Sequence, residues 1–426
     1  MPRAPEHRPV PPPSRIEDAM TTSPASVAHL DLFESGFSFT SPQVKAAQQA
    51  NWYADSPIGP IALRYNDVSA LLHDPRFRLG GQGYMDLHNI DNGVLHDWWM
   101  STLMSLEGAP HQRLRRLMGK AFTPARVEDV RAFTAATAAR LADRLASRGD
   151  HDFVAEYAER LPTLVLCRIM GIPPEDYDRF HSWARDLGAV FAAGGLTPEV
   201  VGSVETAIAE LGSYVNSLVA HRREAPGPDL LTAMINAHDD GGALSSAELH
   251  DMVLLLVWAG QDTTARQLSR ALIAFAEHPE QWDLLRDDPA LVPSAVDEVL
   301  RWTPQSRLIT RYAAHDLTYR GLDLPAGRMV FCSITAANRD PAEFPDPDVF
   351  DVRRGPAARH INFGGGAHHC LGRSLAQMEL AEALTVLTAR LGAPTVCGPI
   401  TWRDDLAMIH GPDSLPLRWT ERTTGT

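Results

Sequence analysis

Cysteine is scarce in this chain: Cys167, Cys332, Cys370 and Cys397 are the only four in 426 residues, widely spaced and with no Cys-x-x-Cys pair. That scarcity excludes a small disulfide-stapled secreted fold and points to a reducing cytoplasm. Long hydrophobic runs are also missing. The longest apolar stretch, Met252 to Ala259, is far too short to cross a bilayer, and no apolar signal region opens the chain, so no membrane is expected as a partner. Basic charge is in deficit as well. The 39 Lys and Arg against 53 Asp and Glu leave a net charge of −14, which argues against nucleic acid as a general partner, because phosphate contacts need a basic surface.

What is present suits a large globular core, with 44% hydrophobic and 22% charged residues. No fixed-period repeat and no long linker divides the chain, which favours one large domain over two. The opening residues carry Pro2, Pro5, Pro9, Pro11, Pro12 and Pro13, a composition that favours an extended, unpacked segment. A disordered Pro-rich tail is expected over residues 1–20, with one folded domain over 21–426.

From Asp67 onward helical periodicity dominates. In Val127 to Arg148, for example, Val130, Phe133, Ala138, Leu141 and Leu145 fall near one face. Leu317 to Val330, punctuated by Gly321, Pro325 and Gly327, reads instead as short strands and turns. The expected fold class is mainly α with a minor β region, a single large helical domain carrying small sheets. Gly80 to Gly83, Gly194 to Pro198 and Ala225 to Pro228 read as surface loops between helices.

Two segments carry candidate chemistry. Ser245 and Glu248 form a possible capping box opening an unusually long helix that runs to about His278, just before Pro279. Its middle, Ala259, Gly260, Gln261, Asp262, Thr263 and Thr264, sets a polar cluster inside an apolar rod. That is either a packing kink or a site. The second segment is Phe363, Gly364, Gly365, Gly366, Ala367, His368, His369, Cys370, Leu371 and Gly372, followed by the helical run Arg373 to Leu391. Its glycines allow a tight turn and close approach to a flat ligand. Cys370 falls near a helix N-terminus, where N–H groups and the dipole favour thiolate, a ligand for a soft or redox-active metal. The residues alone leave two other readings open, an inert packed cysteine and a phosphate-cradling loop, although the latter lacks its lysine and hydroxyl.

The ten-residue Cys370 segment resembles the haem-binding signature of the cytochrome P-450 family, matching it at Phe363, Gly364, Gly366, His368, Cys370 and Gly372. Three further motifs follow the family's order. Glu298 and Arg301 resemble its Glu-x-x-Arg helix. Asn338 to Asp351 resembles the loop after that helix, with Arg354 as the third partner of the pair. His111 and Arg115 share one helical face where the family binds haem propionates.

The resemblance implies that residues 21–426 form a cytochrome P-450 catalytic domain, a haem-thiolate monooxygenase inserting one oxygen atom from dioxygen into a small organic substrate, as in secondary-metabolite tailoring. It implies haem b with Cys370 as axial ligand, Phe363 packed near the sulfur, Gly372 beside it, and propionates held by His111, Arg115, Arg311 and His368. Glu298, Arg301 and Arg354 then brace the cysteine loop. On the long helix, Gly260 leaves a groove for dioxygen, Thr263 hydrogen-bonds the oxygen being activated, and Asp262 relays protons. Gln261 departs from the histidine common before that acid.

Leu255, Trp258, Ala259, Leu308 and Ile309 are the expected substrate contacts, with Tyr84, Met85, Trp98 and Trp99 forming a lid. The chain has no dinucleotide fingerprint, so electrons are expected from another protein; the resemblance implies a ferredoxin-type donor with its reductase, docking near Arg113, Arg116 and Arg373. Oxidative ring closure or aryl coupling is the alternative reaction, kept open by Trp258. A non-catalytic haem carrier or sensor is the remote one.

Overall fold

The computed structural model describes residues 27–146, 149–191, 196–239, 242–355, 359–403 and 409–419. The expected tail over 1–20 lies outside them. Helices dominate, and the sheets are small and peripheral: the largest has five strands, in the order Tyr53–Ala54, Ile61–Ala62, Met329–Ser333, Leu308–Ala313 and Phe77–Arg78. Ile61–Ala62 runs parallel to Met329–Ser333 and the other neighbours are antiparallel. Leu317–Tyr319 and Leu322–Leu324 form the expected hairpin around Gly321, whose φ is +82°.

The long helix spans Ser246–Glu277 and organises the core. Ser245 Oγ accepts from Glu248 N at 3.1 Å and Glu248 Oε2 accepts from Ser245 N at 2.8 Å, so the capping box satisfies a donor at each position. Pro279 opens the next helix, Pro279–Asp287. The long helix is continuous through Gly260 and Thr264, and a Cβ added at Gly260 would make only ordinary contacts with Leu166. The polar side chains are accommodated by partners across the helix faces rather than by a break in its ladder.

Three other expectations are corrected. The single helix read over Val127 to Arg148 is two, Pro124–Asp129 and Arg131–Ala146, joined at Val130. Gly80 to Gly83 is not a surface loop: Gly81–Leu87 is helical, and a side chain at Gly80 or Gly83 would collide with the Tyr312 ring. These glycines are the seat of that ring. The lid expected from Tyr84, Met85, Trp98 and Trp99 is instead packed core, with Met85 fully buried and Trp99 Nε1 donating to the Gly81 carbonyl at 3.0 Å.

Candidate active site

The Phe363–Gly372 segment turns back on itself through a hydrogen bond from Cys370 N to the Phe363 carbonyl at 3.0 Å. Gly364 and Gly366 take φ of +70° and +66°, left-handed backbone that other residues resist, and a Cβ at Gly366 would run into the Leu72 carbonyl oxygen. Helix Arg373–Arg390 starts directly after the loop. Cys370 lines a cavity and is accessible from it, although protein surrounds the thiol on its other sides. Burial pushes the free thiol up, against opposing pulls from Gly372 N–H, Arg115 and Arg373 N–H. The helix start therefore acts as expected but does not prevail by itself.

That cavity has a volume of about 320 Å³. One part of its wall comes from the cysteine loop, at Phe363, Gly364, Cys370, Leu371 and Gly372. Another comes from Leu255, Trp258, Ala259, Gly260 and Thr263 on the long helix, and a third from Leu308 and Ile309 on the strand Leu308–Ala313. All five expected substrate contacts are in the wall. The segment before His111 contributes Leu79, Leu103 and Met104, not the aromatic residues expected from it.

Charge gathers at one end. Arg311 is buried, and its Nη1 donates to the Thr310 carbonyl at 2.9 Å. Arg115 donates to the His369 carbonyl. Among the described residues neither guanidinium has a carboxylate within ion-pair distance, and burial lowers both. Two such cations facing one cavity favour an anionic guest, and the forked guanidinium suits a carboxylate. The His111 and His368 rings meet at a tilt of 44° with centroids 4.3 Å apart, and His368 Nε2 lies 3.1 Å from Glu107 Oε2. Burial, then the neighbouring His368, depresses His111 to about 4. A Cβ at Gly372 would meet nothing within 4 Å, which leaves open space at this point of the cavity wall. An apolar cavity with one thiol, open space at Gly372 and two unpaired arginines at an end fits a flat macrocycle carrying two carboxylates.

Thr263 and Asp262 point different ways. The Thr263 hydroxyl donates to the Ala259 carbonyl at 2.7 Å, leaving its oxygen in the cavity wall as an acceptor. Asp262 is absent from that wall. Its two oxygens accept from Arg403 at 2.7 and 2.8 Å, and Arg266 Nε lies 3.3 Å from Oδ1. Arg266 continues to Glu159 at 2.9 Å. The expected proton relay thus starts from a carboxylate held on the far side of the helix. Gln261 is buried and also outside the wall.

Behind the cysteine loop, Arg301 and Glu298 are both fully buried and joined by two bonds, Nε to Oε2 at 2.7 Å and Nη2 to Oε1 at 2.8 Å. Arg354 Nε lies 3.1 Å from Glu298 Oε2, so the structure brings the expected trio together. Arg301 also donates to the carbonyls of Asn338, Pro347 and Val349. Asn338 Oδ1 in turn accepts from Ile361 N at 3.0 Å, two residues before Phe363, which carries the brace to the loop.

Comparison with known proteins agrees with this geometry. The sequence profile of the cytochrome P-450 family matches residues 203–390. Luteothin monooxygenase of Streptomyces thioluteus is 38% identical over 93% of this chain and 97% of its own length. The chain belongs to the cytochrome P-450 family. Mycinamicin IV hydroxylase/epoxidase of Micromonospora griseorubida is 38% identical over 84% of the chain and 89% of its own length. Among solved structures, the LnmA cytochrome P-450 hydroxylase of the leinamycin pathway of Streptomyces atroolivaceus superposes with TM-score 0.77 at 31% identity, covering 92% of this chain and 100% of its own. CalO2 superposes with TM-score 0.81 at 31% identity, covering 90% and 98%. As a cytochrome P-450 this protein is an oxidoreductase of the monooxygenase type, and its cofactor is haem b bound through a cysteine thiolate.

Several residues of this cytochrome P-450 site were not singled out by the sequence reading. Glu107 meets His368, Arg403 grips Asp262, and Glu379 lies in the cavity wall. Only Glu379 left a trace in sequence, as a carboxylate between Met378 and Leu380 on the buried stripe of its helix.

Proposed function

We propose that this cytochrome P-450 oxygenates a small apolar natural product, by hydroxylation or epoxidation in secondary-metabolite tailoring, with Cys370 as the axial ligand. The observation that carries the reading is the Cys370 thiol opening onto the same apolar cavity as Ala259 and Thr263. Haem bound there supplies the iron that activates dioxygen, with electron donation from the thiolate. Arg115, Arg311, His111 and His368 hold its propionates, and Phe363 packs at the sulfur side. Thr263 Oγ1, its own proton turned to the Ala259 carbonyl, accepts a hydrogen bond from the cavity side, and Asp262 serves proton supply from behind the helix. Leu255, Trp258, Leu308 and Ile309 exclude water and orient the substrate.

The relatives' names support the tailoring assignment, since they act on luteothin and mycinamicin IV. Electrons arrive from a ferredoxin-type donor with its reductase, in the cytoplasm. Arg373 is exposed at the start of the cysteine helix and Arg116 on the neighbouring helix, a face that suits an acidic iron–sulfur protein. Arg113, on the same helix as Arg116, is paired with Glu248 Oε1 at 2.6 Å.

The deciding experiment is the visible spectrum of the dithionite-reduced protein with carbon monoxide, beside Cys370→Ala. A strongly red-shifted Soret band, lost in the variant, is expected. A histidine-type spectrum indifferent to the substitution defeats the reading. Ring closure or aryl coupling is the second reading, favoured by the Trp258 indole in the cavity wall, a flat surface on which an aromatic substrate can stack. Product mass separates the two, since oxygenation adds an oxygen atom and coupling removes hydrogens.

A further inference from the structure

The cavity wall carries a chain of amides from three separate segments that the oxygenase reading leaves unused. Gln267 lies one turn beyond Thr263 on the long helix, Gln305 follows the helix that holds Glu298 and Arg301, and Asn362 directly precedes Phe363 of the cysteine loop. Gln267 and Asn362 are buried, whereas Gln305 is half-buried and keeps accessible surface.

Main-chain groups decide which way each amide faces, because a peptide N–H can only donate and a peptide carbonyl can only accept. Gln267 Oε1 accepts from Gln305 N at 3.2 Å, and Gln267 Nε2 donates to the Thr303 carbonyl at 3.0 Å, so this amide has a single orientation. The atom that Asn362 turns to Gln267 Oε1, at 3.2 Å, is then its Nδ2. The same Nδ2 donates to Gln305 Oε1 at 3.1 Å. Gln305 is left with its Nε2, a donor that meets no acceptor among the described residues.

This arrangement is not what packing alone would select. Asn362 Oδ1 is buried without a partner, and buried amides short of partners lower stability, so apolar side chains would fill the same space at less cost. The position of Gln305 supplies a reason. It lies shortly before Leu308 and Ile309, and its neighbour Ser306 forms a strand bridge with Ile409; all of these line the cavity. One fixed donor thus stands among the apolar side chains that face the substrate.

We propose that Gln305 is a specificity-determining residue whose Nε2 donates a hydrogen bond to an acceptor oxygen of the substrate, such as a ketone or lactone carbonyl. Gln267 and Asn362 are positioning residues that keep the donor, rather than the carbonyl, of Gln305 turned to it. The inference rests on the oxygenase reading and narrows its substrate class to apolar molecules that carry such an oxygen.

The test uses the haem-loaded protein with α-tetralone and tetralin, two probes of similar shape that differ by the ketone oxygen. Each is titrated through the change it makes in the Soret band, and the quantity compared is the ratio of the two affinities. Gln305→Leu should lower the tetralone-to-tetralin ratio about fivefold, the worth of one hydrogen bond. Gln267→Met removes the oxygen that orients the other amides and should lower the ratio in the same direction. A purely structural role for Gln267 would instead weaken both probes alike and leave the ratio where it was.

A ratio unchanged in Gln305→Leu, or a wild type that does not bind α-tetralone, overturns the proposal. A ratio that falls in Gln305→Leu and holds in Gln267→Met overturns the positioning role. If Gln267→Met does not fold, Gln305→Leu decides the matter. The carbon monoxide spectrum judges the oxygenase reading separately, since a wild type without the red-shifted band removes that reading whatever the ratio shows.

Discussion

Arg403 holds Asp262 by both carboxylate oxygens, at 2.7 and 2.8 Å, across 141 residues of chain. The same guanidinium reaches Asp413 at 3.0 Å, so two carboxylates converge on it, and its proton is bound more firmly than usual despite burial. The grip explains how a carboxylate survives at 5% side-chain exposure beside an apolar cavity: it is a charge-paired group, not an isolated one.

Removing one partner should therefore cost more than the pair is worth. Arg403→Gln leaves Asp262 with the more distant Arg266, and a loss of about 3 kcal/mol is expected from the weakened compensation of a buried charge. Adding Asp262→Asn should restore part of it, because the weakly compensated charge is gone. Urea denaturation of the two single variants and the double variant measures the coupling. A double variant as unstable as the sum of the singles means the two residues act independently.

Glu379 gives a pH dependence of stability with a definite sign. Its folded value, about 8, lies above the ordinary carboxyl value of 4.5, so the folded state holds a proton that the unfolded state releases. Its contribution is fully present below the ordinary carboxyl range and is lost as pH rises through about 8. Wild type should lose a few kcal/mol relative to Glu379→Gln across that window, an order-of-magnitude figure from about 1.4 kcal/mol per pH unit. Equal denaturation midpoints for the two proteins at both ends of the window would falsify the buried neutral acid.

Much of the fold is set by local patterns in the chain. The Ser245 and Glu248 box, the long helix ending before Pro279 and the hairpin at Gly321 all depend on near neighbours in sequence, and all are present. Glu298 and Arg301 sit one turn apart and meet as their spacing suggests. What sequence could not supply were partners brought from far along the chain. Helical periodicity says that Asp262 and Thr263 leave the helix about 100° apart, but not that Arg403 waits for one and the cavity for the other. Gly80 to Gly83 looked like a loop because glycine marks turns, and only the Tyr312 ring, over 200 residues on, shows why side chains are excluded there.

The Glu298 cluster makes a lysine at 301 a severe change. Arg301 spreads its bonds over two carboxylate oxygens and three backbone carbonyls, directions that one ammonium cannot cover at once. Arg301→Lys should leave buried carbonyls unpaired and lower stability by about 3 kcal/mol or more. Haem content per folded protein should fall with it, because Asn338 links this cluster to the cysteine loop. A variant with wild-type melting temperature and haem content contradicts the bracing role of the trio.

Two glycines of the cysteine loop should respond differently to alanine, and the difference isolates the cofactor. At Gly366 a Cβ meets the Leu72 carbonyl in a left-handed backbone, so Gly366→Ala strains the protein whether or not haem is bound. At Gly372 the φ is −83° and a Cβ meets no protein atom within 4 Å, so Gly372→Ala should leave the haem-free protein as stable as wild type. If haem occupies the cavity against the proposed cofactor-binding Gly372, a methyl added there would crowd it. Haem titration followed at the Soret band should show weaker uptake by Gly372→Ala at unchanged apoprotein stability. Gly366→Ala should lower both. If Gly372→Ala binds haem as tightly as wild type, the macrocycle does not approach this face of the loop, and Gly372 is a turn residue with no part in cofactor binding.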